Sequence, residues 1–316
     1  MTISGFSFVR NAIFLDYPIA EAIRSVLPLV DEFVVACGDS SDDTTELIRS
    51  LDPKVKVIET VWDEGDFVRG RVNAVQTNIA LDHCRGDWCI YLQADEVVHE
   101  KYLPVIYAAC EKYLENREVE GLLFSYKHFW GDYYHYHWTH HWYRREVRVV
   151  RNGIGVRSYK SAQGFRVGGR KLRVVHIPAE IYHYGWVRDP LKMRKKKIAL
   201  DILHHGEREA RKRNLPEHIP FDYGTPDHLR LFTGTHPAVM ADRIARRDWD
   251  WIPETPVRYK HDRLWVRLRS WIEENLLRNR IGEYRSYELL WYDHTLGHLI
   301  GKPLEEVRGR CGNGST

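Results

Sequence analysis

A chain of 316 residues that is 43% hydrophobic and 29% charged can bury a large core, and its composition excludes a disordered, fibrous or collagenous protein. With 47 Lys and Arg against 44 Asp and Glu, the formal charge of +3 is too balanced to signal nucleic-acid binding, which needs a concentrated basic face. The five cysteines, Cys37, Cys84, Cys89, Cys110 and Cys311, form no Cys-x-x-Cys pair, so they read as reduced thiols of a cytoplasmic protein rather than zinc ligands or a disulfide framework. Met1 to Arg10 lacks a basic, then apolar, leader pattern, and no run approaches the ~20 apolar residues of a membrane span, so neither secretion by that route nor integral membrane insertion is expected.

Taken in chain order, the first third alternates short apolar runs with helical periodicity, which predicts βαβ units and a largely parallel sheet. Gly5 to Val9 reads as a strand. Pro18 to Val30 reads as a helix with Ile19, Ile23, Val26, Leu27 and Val30 on one face, and Phe33 to Ala36 as the next strand. Ser40, Ser41, Asp42 and Asp43 offer N-cap oxygens and first-turn carboxylates to a helix carrying Leu47, Ile48 and Leu51. A strand from Lys54 to Glu59, a helix from Phe67 to His83 and a central strand from Asp87 to Leu92 follow, the last ending at Gln93-Ala94-Asp95-Glu96. After a helix from Glu100 to Leu114, longer β-like segments appear: Val119 to Phe129, Glu146 to Val150, Leu172 to Ile177 and Glu180 to Tyr184. Asp189 to Arg213 reads as a basic helix, and the remainder mixes Pro-containing loops with helices such as Leu264 to Leu277, so the pattern changes near residue 190.

In an open α/β sheet, ligands sit at the carboxyl ends of the strands. Three polar clusters fall at such ends: Arg10-Asn11, Gly38 to Asp43, and Gln93 to Glu96. Asp95 and Glu96 directly after an apolar strand place hard oxygen ligands at the rim of a crevice, as Mg²⁺ or Mn²⁺ requires when most remaining ligands are water and phosphate. Each cluster taken alone also has a plainer reading, as a helix cap or a turn. The order of the three clusters along alternating strands and helices is what favours a site.

That order resembles the family 2 glycosyltransferases, inverting enzymes of the GT-A fold. Their Val-Arg-Asn-Glu, Asp-Asp-Gly-Ser-x-Asp-Gly-Thr and Asp-x-Asp motifs correspond here to Val9-Arg10-Asn11-Ala12, to Cys37 through Thr44, and to Gln93-Ala94-Asp95. The resemblance implies an α/β GT-A nucleotide-diphospho-sugar transferase fold, with a mixed, mainly parallel central sheet flanked by helices and a mostly helical C-terminal extension. It divides the chain into a catalytic domain over residues 1–190, with a nucleotide-sugar-binding half (1–98) and an acceptor-side half (99–190), and an extension over residues 191–316. It further implies that Arg10, Asn11, Asp39 and Asp42 contact the nucleotide, that Arg71, Asn78 and Gln93 lie near the donor, and that Asp95 holds Mg²⁺ or Mn²⁺. Cys37, Gly38 and Gln93 stand where the family usually has carboxylates. The segment Ile181-Tyr182-His183-Tyr184-Gly185, followed by Lys192, Arg194, Lys195, Lys196 and Lys197, is similar to one in bacterial members, which makes His183 a second candidate metal ligand; it also reads as a half-buried histidine followed by a solvated lysine face.

Inverting transfer needs a general base at the acceptor hydroxyl. Asp132, Glu180 and Asp189 are the candidate carboxylates, with Asp132 first because it follows Trp130-Gly131 in an acceptor-side stretch. The His-rich run from His128 to Trp142 has spacings suited to zinc but lacks the His-Glu-x-x-His pattern, and it reads as an acceptor or packing loop. The expected partners are a UDP-, GDP- or dTDP-linked sugar and a glycan or lipid-linked acceptor, with no nucleic acid, in bacterial cell-surface glycan synthesis. A non-catalytic nucleotide- or carbohydrate-binding relative is the alternative. Finally, Arg258 to Arg280 alternates Trp265, Leu268, Trp271 and Leu276 with Arg263, Arg267, Arg269 and Arg278, a pattern that suits either the inner face of an anionic membrane or packing on the catalytic domain.

Overall fold

The structure, a computed structural model, describes residues 1–251, 259, 263–277 and 280–312; Arg258 and Arg278 lie outside these. The N-terminal half runs β1 (Ile3–Val9), α1 (Ile19–Val26), β2 (Glu32–Cys37), α2 (Thr44–Arg49), β3 (Val55–Glu59), α3 (Val72–Asp82), β4 (Trp88–Tyr91), β5 (Glu96–Val98) and α4 (Leu103–Lys112). Then come β6 (Gly121–Trp130), β7 (His135–His137), β8 (Arg145–Arg151), β9 (Val156–Tyr159), β10 (Gly164–Val167) and the long β11 (Arg170–Trp186). Beyond them lie α5 (Pro190–His205), α6 (Glu207–Arg213), β12 (Arg230–Leu231), α7 (Ala241–Ala245), α8 (Leu264–Asn275), β13 (Tyr287–Tyr292) and α9 (Leu304–Gly312).

One twisted sheet has the strand order β3-β2-β1-β4-β8-β6-β11-β10-β9. β3, β2, β1 and β4 pair in parallel, as the sequence predicts, whereas β8 is antiparallel to both β4 and β6, and β6 is again parallel to β11. The sheet is buried on both faces, and alternation along β2 shows how. Phe33 and Val35 enter a core with Ile19, Ile23 and Val26 of α1 and Val105 and Ile106 of α4, while Val34 and Ala36 enter a second core with Phe6, Tyr91, Ala80 and Phe165. This is an α/β fold with a mixed central sheet flanked by helices, as the resemblance implies.

Several helices are shorter than their periodicity predicts, each for a local reason. α1 stops at Val26 because Pro28 has no N–H to donate to the next helical carbonyl. The basic helix divides at Gly206, whose φ of +77° ends α5 and starts α6. The expected boundary at residue 190 coincides with the first residue of α5, yet the chain beyond it returns to the sheet, because β13 pairs in parallel with β11 at Leu172 to His176. Among the described residues, no helix is long and apolar enough to cross a membrane.

Candidate active site

The carboxyl ends of β1 and β4 open on a common cleft of about 670 Å³, closed on one side by α5. Two loops at its rim are stapled by their own side chains. Asn11, held at φ +54°, accepts from the Ser41 amide through Oδ1 at 2.7 Å, while Ser40 Oγ accepts from the Asn11 amide at 3.0 Å. Asp42 accepts from the Phe14 amide at 2.7 Å and from the Thr44 amide at 3.1 Å, and Thr44 Oγ1 accepts from the Ala12 amide at 2.7 Å. Asn11 and Asp42, expected as nucleotide contacts, thus have these oxygens committed to loop geometry, although Asn11 still lines the cleft.

Arg10 and Asp39 are placed differently. They form an ion pair at 3.1 Å with side chains 30% and 40% exposed, and the guanidinium lies 5.7 Å from the centre of the Trp62 ring. Arg10 and Trp62 line the cleft, and the Trp62 amide donates to Asp39 Oδ1 at 3.2 Å. The glycine at position 38 now has a steric reason: a Cβ there would meet the Trp62 indole nitrogen at 2.4 Å. The indole displaces the carboxylate that the resemblance leads one to expect.

Asp95 sits at the base of the cleft with 7% of its surface exposed. Burial alone would raise its carboxyl, but Lys196 foremost, and Arg188 to a lesser degree, hold it well below the usual carboxylate range. Lys196 Nζ donates to Asp95 Oδ2 at 2.8 Å and to the Gly185 carbonyl at 2.6 Å. Burial, reinforced by Arg188 and opposed by Asp95, brings this lysine down to about 7.

The other oxygen of Asp95 faces His183. The backbone brings them together, because β5 and β11 pair antiparallel with His183 opposite Glu96, and the Tyr184 amide donates to the Asp95 carbonyl at 2.8 Å. His128 fixes the state of the ring. Its Nε2 lies 2.7 Å from the Tyr143 carbonyl, which can only accept, so Nε2 carries the proton and Nδ1 carries a lone pair. That lone pair accepts the Nδ1–H of His183 at 3.0 Å. Burial lowers the pKa of both imidazoles and keeps them neutral. His183 Nε2 is therefore left with a lone pair 3.7 Å from Asp95 Oδ1, two acceptors facing one another with no proton between them.

The space between them is real and small. A Cβ on Gly185 would lie 2.5 Å from His183 Nε2 and 2.9 Å from Asp95 Oδ2, so glycine here keeps a cradle open. A hard carboxylate oxygen and a neutral imidazole nitrogen at one cradle fit a divalent cation that takes its other ligands from phosphate and water. Among the described residues, no group of three or more His, Cys, Asp or Glu side chains could hold a metal by itself. Glu96 is not a third donor: it is fully buried, bound at both oxygens by Arg148 at 2.7 and 2.8 Å and bonded by Tyr126 at 2.9 Å.

The remaining sequence candidates are less central. Gln93 lines the cleft and donates to the Ala162 carbonyl at 3.3 Å. Arg71 is exposed beside Asp66, and Asn78 accepts from the Ser158 amide at 2.7 Å, anchoring α3 to β9; neither lines the cleft. The three candidate bases do not line it either. Asp132 accepts from the Tyr134 and His135 amides at 2.8 Å, which closes the turn opened by Gly131. Glu180 is bound by Tyr102 and Lys127 at 2.8 and 3.0 Å, and Asp189 caps α5 through the Leu191 and Lys192 amides. The sequence reading missed Lys196 as an individual, His128 and Gly185. The available signal was Met193 and Lys196, three apart in α5, which marks an inward face.

Residues 17–172 match the family described as Glycosyl transferase family 2. None of the curated proteins matches the chain. Among solved structures, the S. aureus TarS fragment 1–349 in complex with UDP aligns at 11% identity and a TM-score of 0.37, covering 64% of this chain and 65% of that one. Mycobacterium tuberculosis glucosyl-3-phosphoglycerate synthase, in complex with Mn²⁺, UDP and phosphoglyceric acid, aligns at 20% identity and a TM-score of 0.29, over 40% of this chain and 43% of that one. Mannosyl-3-phosphoglycerate synthase from Rubrobacter xylanophilus aligns at 23% identity and 0.29, over 40% and 41%. This chain thus spans less than two thirds of each of those chains.

Proposed function

We propose that this chain, whose residues 17–172 match Glycosyl transferase family 2, moves a sugar from a nucleotide-diphospho-sugar to an acceptor hydroxyl with inversion at the anomeric carbon, assisted by Mg²⁺ or Mn²⁺. The observation that carries this reading is the facing pair of Asp95 Oδ1 and His183 Nε2 at 3.7 Å, at the end of the central strand. A cation held there would neutralise charge developing on the departing diphosphate. Asp95 supplies a permanent anion, and the His128 bond fixes His183 as a neutral donor. Lys196 reaches the same carboxylate and can turn its ammonium from Asp95 to a phosphate oxygen. On this reading Arg10, Asp39 and the Trp62 ring hold the nucleotide, with Asn11, Asp42 and Gln93 shaping the loops around it. With Asp95 the one carboxylate among the described residues of the cleft, proton acceptance from the acceptor falls to a cleft histidine, His141 or His204. A catalytic unit over residues 1–190 completed by α5, a cytoplasmic location and a role in cell-envelope glycan synthesis complete the proposal.

The test is calorimetric binding of UDP, GDP and dTDP to wild type and Asp95→Ala, with and without Mn²⁺, followed by hydrolysis of the matching sugar nucleotide. Metal-dependent binding of one nucleotide, lost in Asp95→Ala, is the expected result. Nucleotide binding indifferent to both metal and Asp95 would sink the proposed mechanism.

A further inference from the structure

Helix α8 is built inside out. Its fully buried positions are polar: Ser270 Oγ accepts from the His140 amide at 2.7 Å, and Glu273 accepts from His140 Nδ1 at 3.0 Å, from Arg269 at 3.2 Å and from the Ile281 amide at 3.0 Å. Four of its six apolar positions face outward, with Leu264 73%, Trp265 78%, Leu268 45% and Trp271 51% exposed, while Val266 and Ile272 are half-buried. At about 100° per residue these four form a stripe centred opposite Ser270 and Glu273. A helix packed on a soluble domain has the reverse arrangement. Leu276, Leu277 and Ile281 extend the exposed apolar surface past the helix end.

The charges say what such a stripe would meet. Arg267 and Arg269 flank it on opposite sides, and Arg263 stands at its start; Arg263 and Arg267 have no ion pair among the described residues. The two carboxylates of the helix are both engaged, Glu273 as above and Glu274 by both guanidinium nitrogens of Arg230. A second copy of the chain would bring these arginines against each other with no acidic patch on the stripe to answer them. Tryptophan rings flanked by arginines suit the boundary between acyl chains and anionic headgroups.

We propose that α8 is an interfacial anchor that lays Leu264, Trp265, Leu268 and Trp271 into the surface of an anionic bilayer. Through Ser270 and Glu273 the helix grips His140, the neighbour of His141, Trp142 and Tyr143 in the cleft wall, so docking would hold that wall at the bilayer. That a lipid-anchored acceptor is served there rests on the glycosyl-transfer reading; the docking itself does not.

The experiment is flotation of the full chain with vesicles of phosphatidylcholine alone or mixed equally with phosphatidylglycerol, with sedimentation velocity on the same samples. Wild type should float with the anionic vesicles only, and less at high salt. The Trp265→Ser/Trp271→Ser variant should lose at least about tenfold in vesicle partition while keeping its circular dichroism and nucleotide binding. Leu264→Gln/Leu268→Gln serves as a second, independent pair. Failure of wild type to float, equal flotation of both variants, or a wild-type dimer that these substitutions dissociate would each overturn the proposal. Since flotation needs no turnover, its result stands apart from the fate of the transfer mechanism.

Discussion

Replacing Gly185 with alanine tests the cradle with the smallest possible wedge. The backbone at Gly185 is not among the positive-φ positions, so alanine is tolerated locally and the effect falls on the site. The new methyl would sit 2.5 Å from His183 Nε2, 2.7 Å from its Cε1 and 2.9 Å from Asp95 Oδ2, against ordinary contacts of about 3.5 Å or more. Neither neighbour can step aside freely, because the His183 ring is tied to His128 and the Asp95 carboxylate to Lys196. The two donors must therefore part by roughly an ångström, with an overpacking cost of about 1 to 3 kcal/mol in stability. Since disturbing only the groups that orient metal ligands costs about 10 to 100-fold in affinity, displacing the ligands themselves should cost at least that. Mn²⁺ titrated calorimetrically into the nucleotide-saturated variant gives the answer, with thermal melting to confirm the fold and metal-free nucleotide binding as the control. A folded Gly185→Ala whose Mn²⁺ affinity stays within about threefold of wild type, less than the smallest effect of disturbing a group that only orients a ligand, would refute the assignment of this cradle.

Two further expectations follow from buried charge. Lys196→Met removes the cation that pairs with Asp95 in the free protein, so Mn²⁺ should bind more tightly to the nucleotide-free variant while kcat falls by at least about tenfold; unchanged turnover would show that Lys196 only stabilises the site. Glu146 is buried, and burial pushes its carboxyl from 4.5 up to about 8, so the native state holds a proton that the unfolded chain has released, and stability should fall by a few kcal/mol as pH rises between those values. Glu146→Gln should abolish that slope and melt higher than wild type at pH values above 8, as followed by circular dichroism at several pH values.

How much of this site could be read in the sequence depends on how local the information is. Strand ends, caps and turn formers act over a few residues, and so Arg10, Asp39 and Asp95 were readable at the carboxyl ends of their strands. The same local signals mislead when they describe only themselves. Gly131-Asp132 has the chemistry of a turn, and in the structure Asp132 closes that turn and does not line the cleft. Lys196 looked like one of several solvated lysines, because only its spacing from Met193 sets it apart from its neighbours in a lysine-rich run. What no local rule supplies is register. His183 reaches Asp95 because β11 pairs with β5 so that His183 stands opposite Glu96. A slip of one residue would put Tyr182 or Tyr184 there and turn the imidazole to the other face of the sheet. The register is in turn held by the hydrophobic alternation of β11, where Ile177, Ala179 and Ile181 enter one core and Tyr182 and Tyr184 another. The geometry proposed to ligate the metal is thus secured by apolar residues that carry no chemistry of their own, and a change that repacks Ile181 or Tyr182 would reach the site without touching any residue that lines it.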